Sequence, residues 1–156
     1  MKKLNNTRRI TIDNDQVRFQ FYKSDSETYE ISLPIGFDYI VKTFFKHEIP
    51  SESDIEYAIN YIEDELMSKK ELISFNENLI TEDKGIKDLF LKNGLTESIY
   101  SRQRVEELFN QYAYIVMGAS PVISGIEITP KDVAVILLLR EIMHHLDYRN
   151  ISIKAL

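Results

Sequence analysis

The stretch that most constrains the fold lies near the C-terminus, where seven apolar residues follow one another from Val133 to Leu139. Just before it, Thr129-Pro130-Lys131-Asp132 combines a capping threonine, proline at the first helical position and an acid in the first turn. This combination predicts the start of a helix. A helix that is apolar on every side must be buried on every side. We therefore predict a helix from Pro130 to Tyr148 whose front half forms the centre of a packed domain.

The first third of the chain has the period of β-strands. Polar and apolar residues alternate in three short runs, residues 9–13, 17–22 and 28–33, and polar turns separate the runs. Strands joined by such short turns are expected to pair in antiparallel fashion. A fourth alternation, Ile151-Ser152-Ile153-Lys154, predicts a strand at the C-terminus. The sequence thus predicts a small antiparallel sheet, formed by an N-terminal three-strand meander and a C-terminal strand.

Between these strands the apolar residues recur with the period of helices. The predicted helices cover residues 37–46, a segment that begins with a capping box at Ser51 and Asp54, residues 84–93, a segment from Thr96 or Ser98 to Met117, and the C-terminal helix. Residues 71–83 fit either an extension of the second helix or a loop. We predict a single α+β domain over residues 1–156, with four or five helices on one face of the sheet and residues 1–8 as a flexible basic arm.

Composition argues against several kinds of chemistry. The chain has no cysteine, which removes disulfides, thiol nucleophiles and cysteine-based metal sites. Its formal net charge of −6 argues against generic binding to DNA or RNA, whose phosphates attract Lys and Arg. The N-terminus lacks the apolar stretch of a signal peptide, and the longest apolar run is too short to span a membrane. We expect a soluble, cytoplasmic protein that binds neither nucleic acid nor membranes.

Residues 47–68 are strongly acidic and contain neither Lys nor Arg. On the helix predicted there, Tyr57 and Tyr61 project away from the apolar stripe, with Asp64 near the first tyrosine and Glu65 near the second. Tyrosine is favoured at interface centres, and the acidic field attracts a basic partner. These four residues are therefore predicted to bind a protein partner, with a basic protein favoured, or a second copy of the chain. The alternative is that the acids stabilise the helix dipole and the tyrosines pack on a neighbouring helix.

The back half of the C-terminal helix concentrates histidine. Glu141 and His144 stand three residues apart, a spacing that lets both side chains reach one metal ion, and His145 lies on the same arc. In the alternative interpretation, these residues are the solvated end of the helix, where histidines suit the dipole. No cofactor is expected apart from a divalent metal at these residues. A closed metal site would need further ligands from other helices, such as His47, Glu106 or Glu107.

The loop from Gly118 to Gly125 contains small residues and two serines, but its spacing matches no phosphate loop or nucleophile elbow. We interpret it as an ordinary connection between helices. Since no catalytic motif is evident, the leading hypothesis is a non-enzymatic protein-interaction domain: an accessory subunit, adaptor or inhibitor. The alternative is a small metal-binding domain or metalloenzyme that uses Glu141 and His144.

Overall fold

The computed structural model describes residues 7–22, 28–118 and 127–154. This part of the chain forms six strands and five α-helices. In chain order they are β1 (Thr7–Ile12), β2 (Val17–Tyr22), β3 (Thr28–Leu33), α1 (Phe37–Phe44), α2 (Glu52–Met67), β4 (Glu77–Thr81), α3 (Lys84–Lys92), β5 (Ile99–Ser101), α4 (Arg102–Val116), α5 (Pro130–His145) and β6 (Tyr148–Ile153), with a 3₁₀ turn at Lys70–Leu72.

The strands form one mixed sheet in the order β3-β2-β1-β4-β6-β5. The meander β1–β2–β3 is antiparallel, as predicted, and so is the pair β5–β6. However, β4 lies between β1 and β6 and runs parallel to both. The α+β class is confirmed, whereas the prediction of a small antiparallel sheet is wrong. Helical crossovers before and after β4 provide the long connections that parallel pairing requires.

Burial alternates along the strands and distinguishes the two faces of the sheet. One face carries buried side chains, among them Ile10, Ile12, Val17, Phe19, Phe21, Leu79, Thr81 and Ile151. The opposite face carries partly or fully exposed side chains, most of them polar, among them Arg9, Thr11, Arg18, Gln20, Asn78 and Ser152. The described helices therefore cover one face, and the second face is open.

The helix α5 is the centre of the helical layer. Every residue from Val133 to Leu139 is buried, as the sequence predicted. The helix begins with Pro130 after the Thr129 cap, whose hydroxyl accepts a hydrogen bond from the Asp132 amide at 3.1 Å. The helices α1, α2, α3 and α4 all pack against it. Within the described residues, no helix is long and apolar enough to cross a membrane.

Two local predictions concern the ends of elements. The capping box at Ser51 and Asp54 is confirmed at the start of α2. Residues 1–6 of the predicted basic arm lie outside the described residues. The strand β1 begins at Thr7, inside the predicted arm, and the Arg8 side chain is largely buried.

Candidate functional site

A cleft of about 510 Å³ opens on the surface of the described residues. It lies where β1 and β4, two adjacent parallel strands, reach their carboxyl ends. Open sheets with parallel strands bind ligands outside these carboxyl ends. The fold therefore places the cleft where a ligand site is expected. Its lining consists of Arg9, Thr11, Ile12, Asp13, Asn14, Arg18, Gln20, Phe37, Glu82, Asp83, Lys84, Gly85 and Lys131.

Three helices start at this cleft. Phe37 is the first residue of α1, Lys84 the first of α3, and Lys131 lies in the first turn of α5. The N-terminus of a helix carries a partial positive charge and unsatisfied amide groups. Three such ends around one cleft favour an anionic ligand.

The start of α1 is already occupied by the chain itself. The amides of Asp38 and Tyr39 both donate to the Asn14 carbonyl in the turn between β1 and β2, at 2.9 and 3.1 Å. Gly36 makes this approach feasible, because a Cβ at this position would lie 2.3 Å from the Asn14 carbonyl oxygen. The turn therefore satisfies α1 and fixes one wall of the cleft.

The carboxylate of Asp83 joins β1 to α3. Its Oδ1 accepts a hydrogen bond from the Ile86 amide at 3.0 Å and caps α3, while its Oδ2 accepts one from the Ile12 amide at 2.8 Å. Thr81 strengthens the connection, because its hydroxyl donates to the Ile10 carbonyl and accepts from the Asp83 amide. Both oxygens of Asp83 are therefore used to hold the floor of the cleft together.

The amides of Lys84 and Gly85 form no hydrogen bond within the part of the chain that the structure describes. They belong to the first turn of α3 and border the cleft. A Cβ on Gly85 would lie 3.1 Å from Asp83 Oδ1 and 3.9 Å from the Cε of Lys131. The absence of a side chain at Gly85 keeps this helix end accessible beside Lys131.

The cleft contains four basic and three acidic side chains, which leaves one excess positive charge. Arg18 is paired with Asp13 at 2.6 Å, and this hydrogen bond raises the pKa of its guanidinium. Arg9 is paired with Glu82 at 3.0 Å. The two lysines are bound less firmly by acids, since Lys84 pairs on the surface with Asp88 and Lys131 lies over the Phe37 ring at 4.5 Å. Lysines and open amides together form a surface suited to phosphate oxygens.

The predicted tyrosine surface on α2 is divided by the structure. Tyr57 is 67% exposed, and Asp64 is also exposed. Tyr61 instead packs against the rings of Tyr39 and Phe44, and its hydroxyl donates to the Pro34 carbonyl at 3.1 Å.

Burial, followed by the hydrogen bond with Tyr39 and the charge of Glu65, raises the pKa of Tyr61 to about 12. The two tyrosines therefore do not form one exposed pair. Binding of a partner through Tyr57, Tyr61, Asp64 and Glu65 stays a prediction.

The predicted metal ligands on α5 form ion pairs and ring contacts with protein side chains. Glu141 is 1% exposed, and its two oxygens contact Arg140 at 2.6 Å and His145 at 3.2 Å. Arg140 also pairs with Glu106 on α4. His144 is exposed and stacks edge-on against His145. The structure therefore brings Glu141 and His145 together within an ion-pair network that joins α5 to α4.

In residues 7–22, 28–118 and 127–154, no group of three or more His, Asp or Glu side chains is placed to hold a metal ion. His47 instead contacts Asp54 near the start of α2. The loop from Gly118 to Gly125 was interpreted as a connection between helices, and its residues 119–125 lie outside the described residues.

Sequence reasoning did not identify the cleft. Asp13 was assigned to the end of a strand, Asn14 to the turn that follows it and Lys131 to the start of a helix. These residues come together with Asp83 at one cleft because β1 pairs with β4, which is about seventy residues away in sequence. The signal that could have found the cleft is the sequence Asp83-Lys84-Gly85, which follows the strand at residues 77–81 after a single intervening residue.

No known protein family matches the sequence, and no curated protein is similar to it. Solved structures do share the fold. A Ppx/GppA enzyme of Aquifex aeolicus has a TM-score of 0.73 and 14% identity, and the match covers 99% of this chain and 55% of that chain. The type II variant of the Ppx/GppA phosphatase from the same organism has a TM-score of 0.73 and 13% identity, with coverage of 99% and 55%.

An exopolyphosphatase from Cytophaga hutchinsonii has a TM-score of 0.68 and 16% identity, with coverage of 98% of this chain and 54% of that chain. At such identities the similarity establishes the fold alone, and this chain spans about half the length of the solved proteins. The prediction of a non-enzymatic protein-interaction domain is contradicted, because these structural relatives are enzymes. The exposed tyrosine and acidic charge on α2 misled the sequence interpretation, since solvated helices also carry such residues.

Proposed function

We propose that this chain is the phosphate-binding domain of a phosphatase-like enzyme, and that the cleft at the carboxyl ends of β1 and β4 binds the phosphates. The observation that carries the proposal is the convergence of Lys84, Lys131 and the open amides of α3 on one cleft. Backbone amides at a helix N-terminus and ammonium groups are a recurring combination for phosphate oxygens.

The structural relatives support a substrate that contains several linked phosphates. Two of them are Ppx/GppA proteins and one is an exopolyphosphatase. The lining of the cleft includes Lys131 at the start of α5 and Arg18, Gln20 and Arg9 on the strands β2 and β1. A linear phosphate chain fits such a set of donors, with water as the second substrate in the cleavage of a phosphoanhydride bond.

Complete enzymatic activity in this proposal involves more than the cleft shown here. The chain matches about half of each solved relative, so a further domain or chain supplies the rest of the catalytic machinery. The residues of this chain bind and orient the phosphates. The cytoplasmic location predicted from the sequence is kept as part of the proposal.

A divalent cation also fits the cleft as a companion of the phosphates. Asp13 uses one carboxylate oxygen for Arg18, and its second oxygen has no partner among the described residues. Magnesium is commonly held by one or two carboxylates together with substrate phosphates. When bound, the cation would supply charge neutralisation, and Asp13 is the residue of this chain that would hold it.

Calorimetric titration with inorganic tripolyphosphate, with and without magnesium, tests the proposal. We expect binding that weakens as salt is added, because the contacts are ionic and exposed. The double variant Lys84→Ala/Lys131→Ala should bind about tenfold more weakly, as two charged hydrogen-bond donors are lost. Lys69→Ala/Lys70→Ala is the matched control, because this exposed pair precedes the amino-terminal end of β4, whereas the cleft lies at its carboxyl end. Equal loss in both double variants, or no binding by the wild-type chain, contradicts the proposal.

A further inference from the structure

Asp83 is an unusual residue for an anion-binding cleft. It carries a negative charge directly at the open end of α3, the end to which the proposed phosphates bind. On electrostatic grounds alone, such a charge repels a phosphate. A neutral capping residue such as Ser, Thr or Asn would satisfy the helix without this repulsion.

The geometry explains what the charge contributes. A carboxylate has two acceptor oxygens, and Asp83 uses one for the Ile86 amide in α3 and the other for the Ile12 amide at the end of β1. Neutral capping side chains carry a single acceptor atom, because Ser and Thr have one oxygen and the second group of an asparagine amide is a donor. The carboxylate therefore connects the two structural elements whose ends form opposite parts of the cleft.

The neighbouring residues show that this connection also sets the position of the phosphate donors. Lys84 and Gly85 follow Asp83 directly, and their open amides lie in the same helical turn. Asp13 follows Ile12 directly and lines the cleft. A shift of Asp83 relative to β1 therefore moves the amides of α3 relative to the wall formed by Asp13 and Arg18.

We propose that Asp83 is the positioning residue of the cleft, which holds α3 against β1 so that phosphate oxygens meet the Lys84 and Gly85 amides. This inference rests on the proposed phosphate-binding function. Asp83 does not touch the phosphates and acts through the backbone that it anchors.

If Asp83 positions the cleft, removing its charge should change the affinity for phosphate in the direction opposite to that expected from electrostatics alone. Asp83→Asn removes a negative charge from an anion site, so a residue that matters only through its charge should give tighter binding in the variant. A positioning residue should give weaker binding, because the asparagine NH₂ faces the Ile12 amide and the connection to β1 is lost. We expect about tenfold weaker binding of tripolyphosphate.

Glu82→Gln is the matched control. Glu82 is the adjacent residue, lines the same cleft and carries the same charge, but among the described residues its carboxylate pairs with the Arg9 side chain and not with backbone amides. Its neutralisation frees that arginine and should leave tripolyphosphate binding unchanged or tighten it by about twofold. Asp83→Ser is a second variant, because serine can cap α3 at the Ile86 amide but is too short to reach Ile12. It should bind as weakly as Asp83→Asn while α3 remains capped.

The experiment is calorimetric titration of the full chain and these variants with inorganic tripolyphosphate. Weaker binding in both Asp83 variants, with unchanged or tighter binding in Glu82→Gln, supports the inference. Binding in the Asp83 variants that equals or exceeds that of the wild type overturns it and leaves the proposed function intact. Absence of binding in the wild type overturns both.

Amide NMR of the wild-type chain provides a measurement that does not depend on the folding of a variant. The Ile12 and Ile86 signals should both shift during the tripolyphosphate titration, with the same dissociation constant. If the α3 amides shift and Ile12 does not, the connection plays no part in binding and the inference is overturned.

Discussion

Arg8 shows how strongly a single residue can depend on the complete fold. Its guanidinium lies over the rings of Phe21 and Tyr148, with centroid distances of 5.1 and 5.9 Å, and donates to the Leu72 carbonyl at 2.9 Å. Glu77 pairs with it at 3.5 Å. Largely buried charges require such partners, and one aromatic face here comes from a residue 140 positions later in the chain.

Arg8→Ala is expected to lower the free energy of unfolding by about 1–3 kcal/mol, because it removes the cation between two rings and leaves the Leu72 carbonyl without its donor. Urea denaturation monitored by circular dichroism measures the change. Arg149→Ala is the control, since Arg149 is an exposed arginine in β6 and should change stability by less than about 0.5 kcal/mol. An equal effect of the two substitutions would show that the surroundings of Arg8 contribute nothing particular.

The sequence assigned Arg8 to a flexible arm for an understandable reason. Lys2, Lys3, Arg8 and Arg9 form a basic group, and such groups are usually solvated. Burial of Arg8 follows only from its place in β1, because the covering residues Phe21, Glu77 and Tyr148 come from β2, β4 and β6. Local residue patterns carry no information about such a distant partner.

Among the helices and strands, α5 could be predicted because the sequence pattern that defines it lies within the helix itself. Seven consecutive apolar residues and a complete start signal define both its burial and its beginning. The strand β4, with the sequence Glu-Asn-Leu-Ile-Thr, was not recognised, although it lies in the middle of the sheet. Three of its five residues are polar, and its parallel pairing with β1 and β6 involves distant segments. The cleft was missed together with β4, because Asp83 and Lys84 acquire their relation to Asp13 only through that pairing.

The central position of α5 leads to a test at the scale of the element. Leu138 is fully buried in α5, so Leu138→Ala leaves a cavity and should cost about 2–5 kcal/mol in the free energy of unfolding. Leu91 in α3 is 49% exposed, and Leu91→Ala should cost less than about 1 kcal/mol. Thermal and urea unfolding of both variants measure the difference. Similar losses would mean that α5 is not the centre of the packing.

At the scale of the whole molecule, buried and half-buried tyrosines occur in several parts of the fold. Tyr61 lies in α2, Tyr100 in β5, Tyr112 in α4 and Tyr148 in β6. Burial raises the pKa of each hydroxyl above its ordinary value, and for Tyr61 it does so together with the Tyr39 hydrogen bond and the charge of Glu65, to about 12. The folded molecule therefore holds protons that an unfolded chain releases at lower pH.

This difference predicts alkaline unfolding with a definite sign. In the unfolded chain tyrosine ionises at about pH 10, whereas these four groups stay protonated above that value in the fold. Because the folded state then binds more protons, these groups contribute stability that is fully present below about pH 10 and is lost as the pH rises through their raised pKa values, which for Tyr61 is about 12. Absorbance at 295 nm and circular dichroism, followed in one titration, should show ionisation of the four groups together with loss of helical signal.

Tyr61→Phe provides the control for this titration. The phenylalanine keeps the ring contacts with Tyr39 and Phe44 but has no proton to lose, so the free energy of unfolding should fall less steeply above about pH 10 than in the wild type. Loss of its hydrogen bond to the Pro34 carbonyl lowers stability at every pH and does not affect the slope. Four tyrosines that ionise near about pH 10 while the circular dichroism stays unchanged would contradict the expectation, since their ionisation would then be independent of the fold.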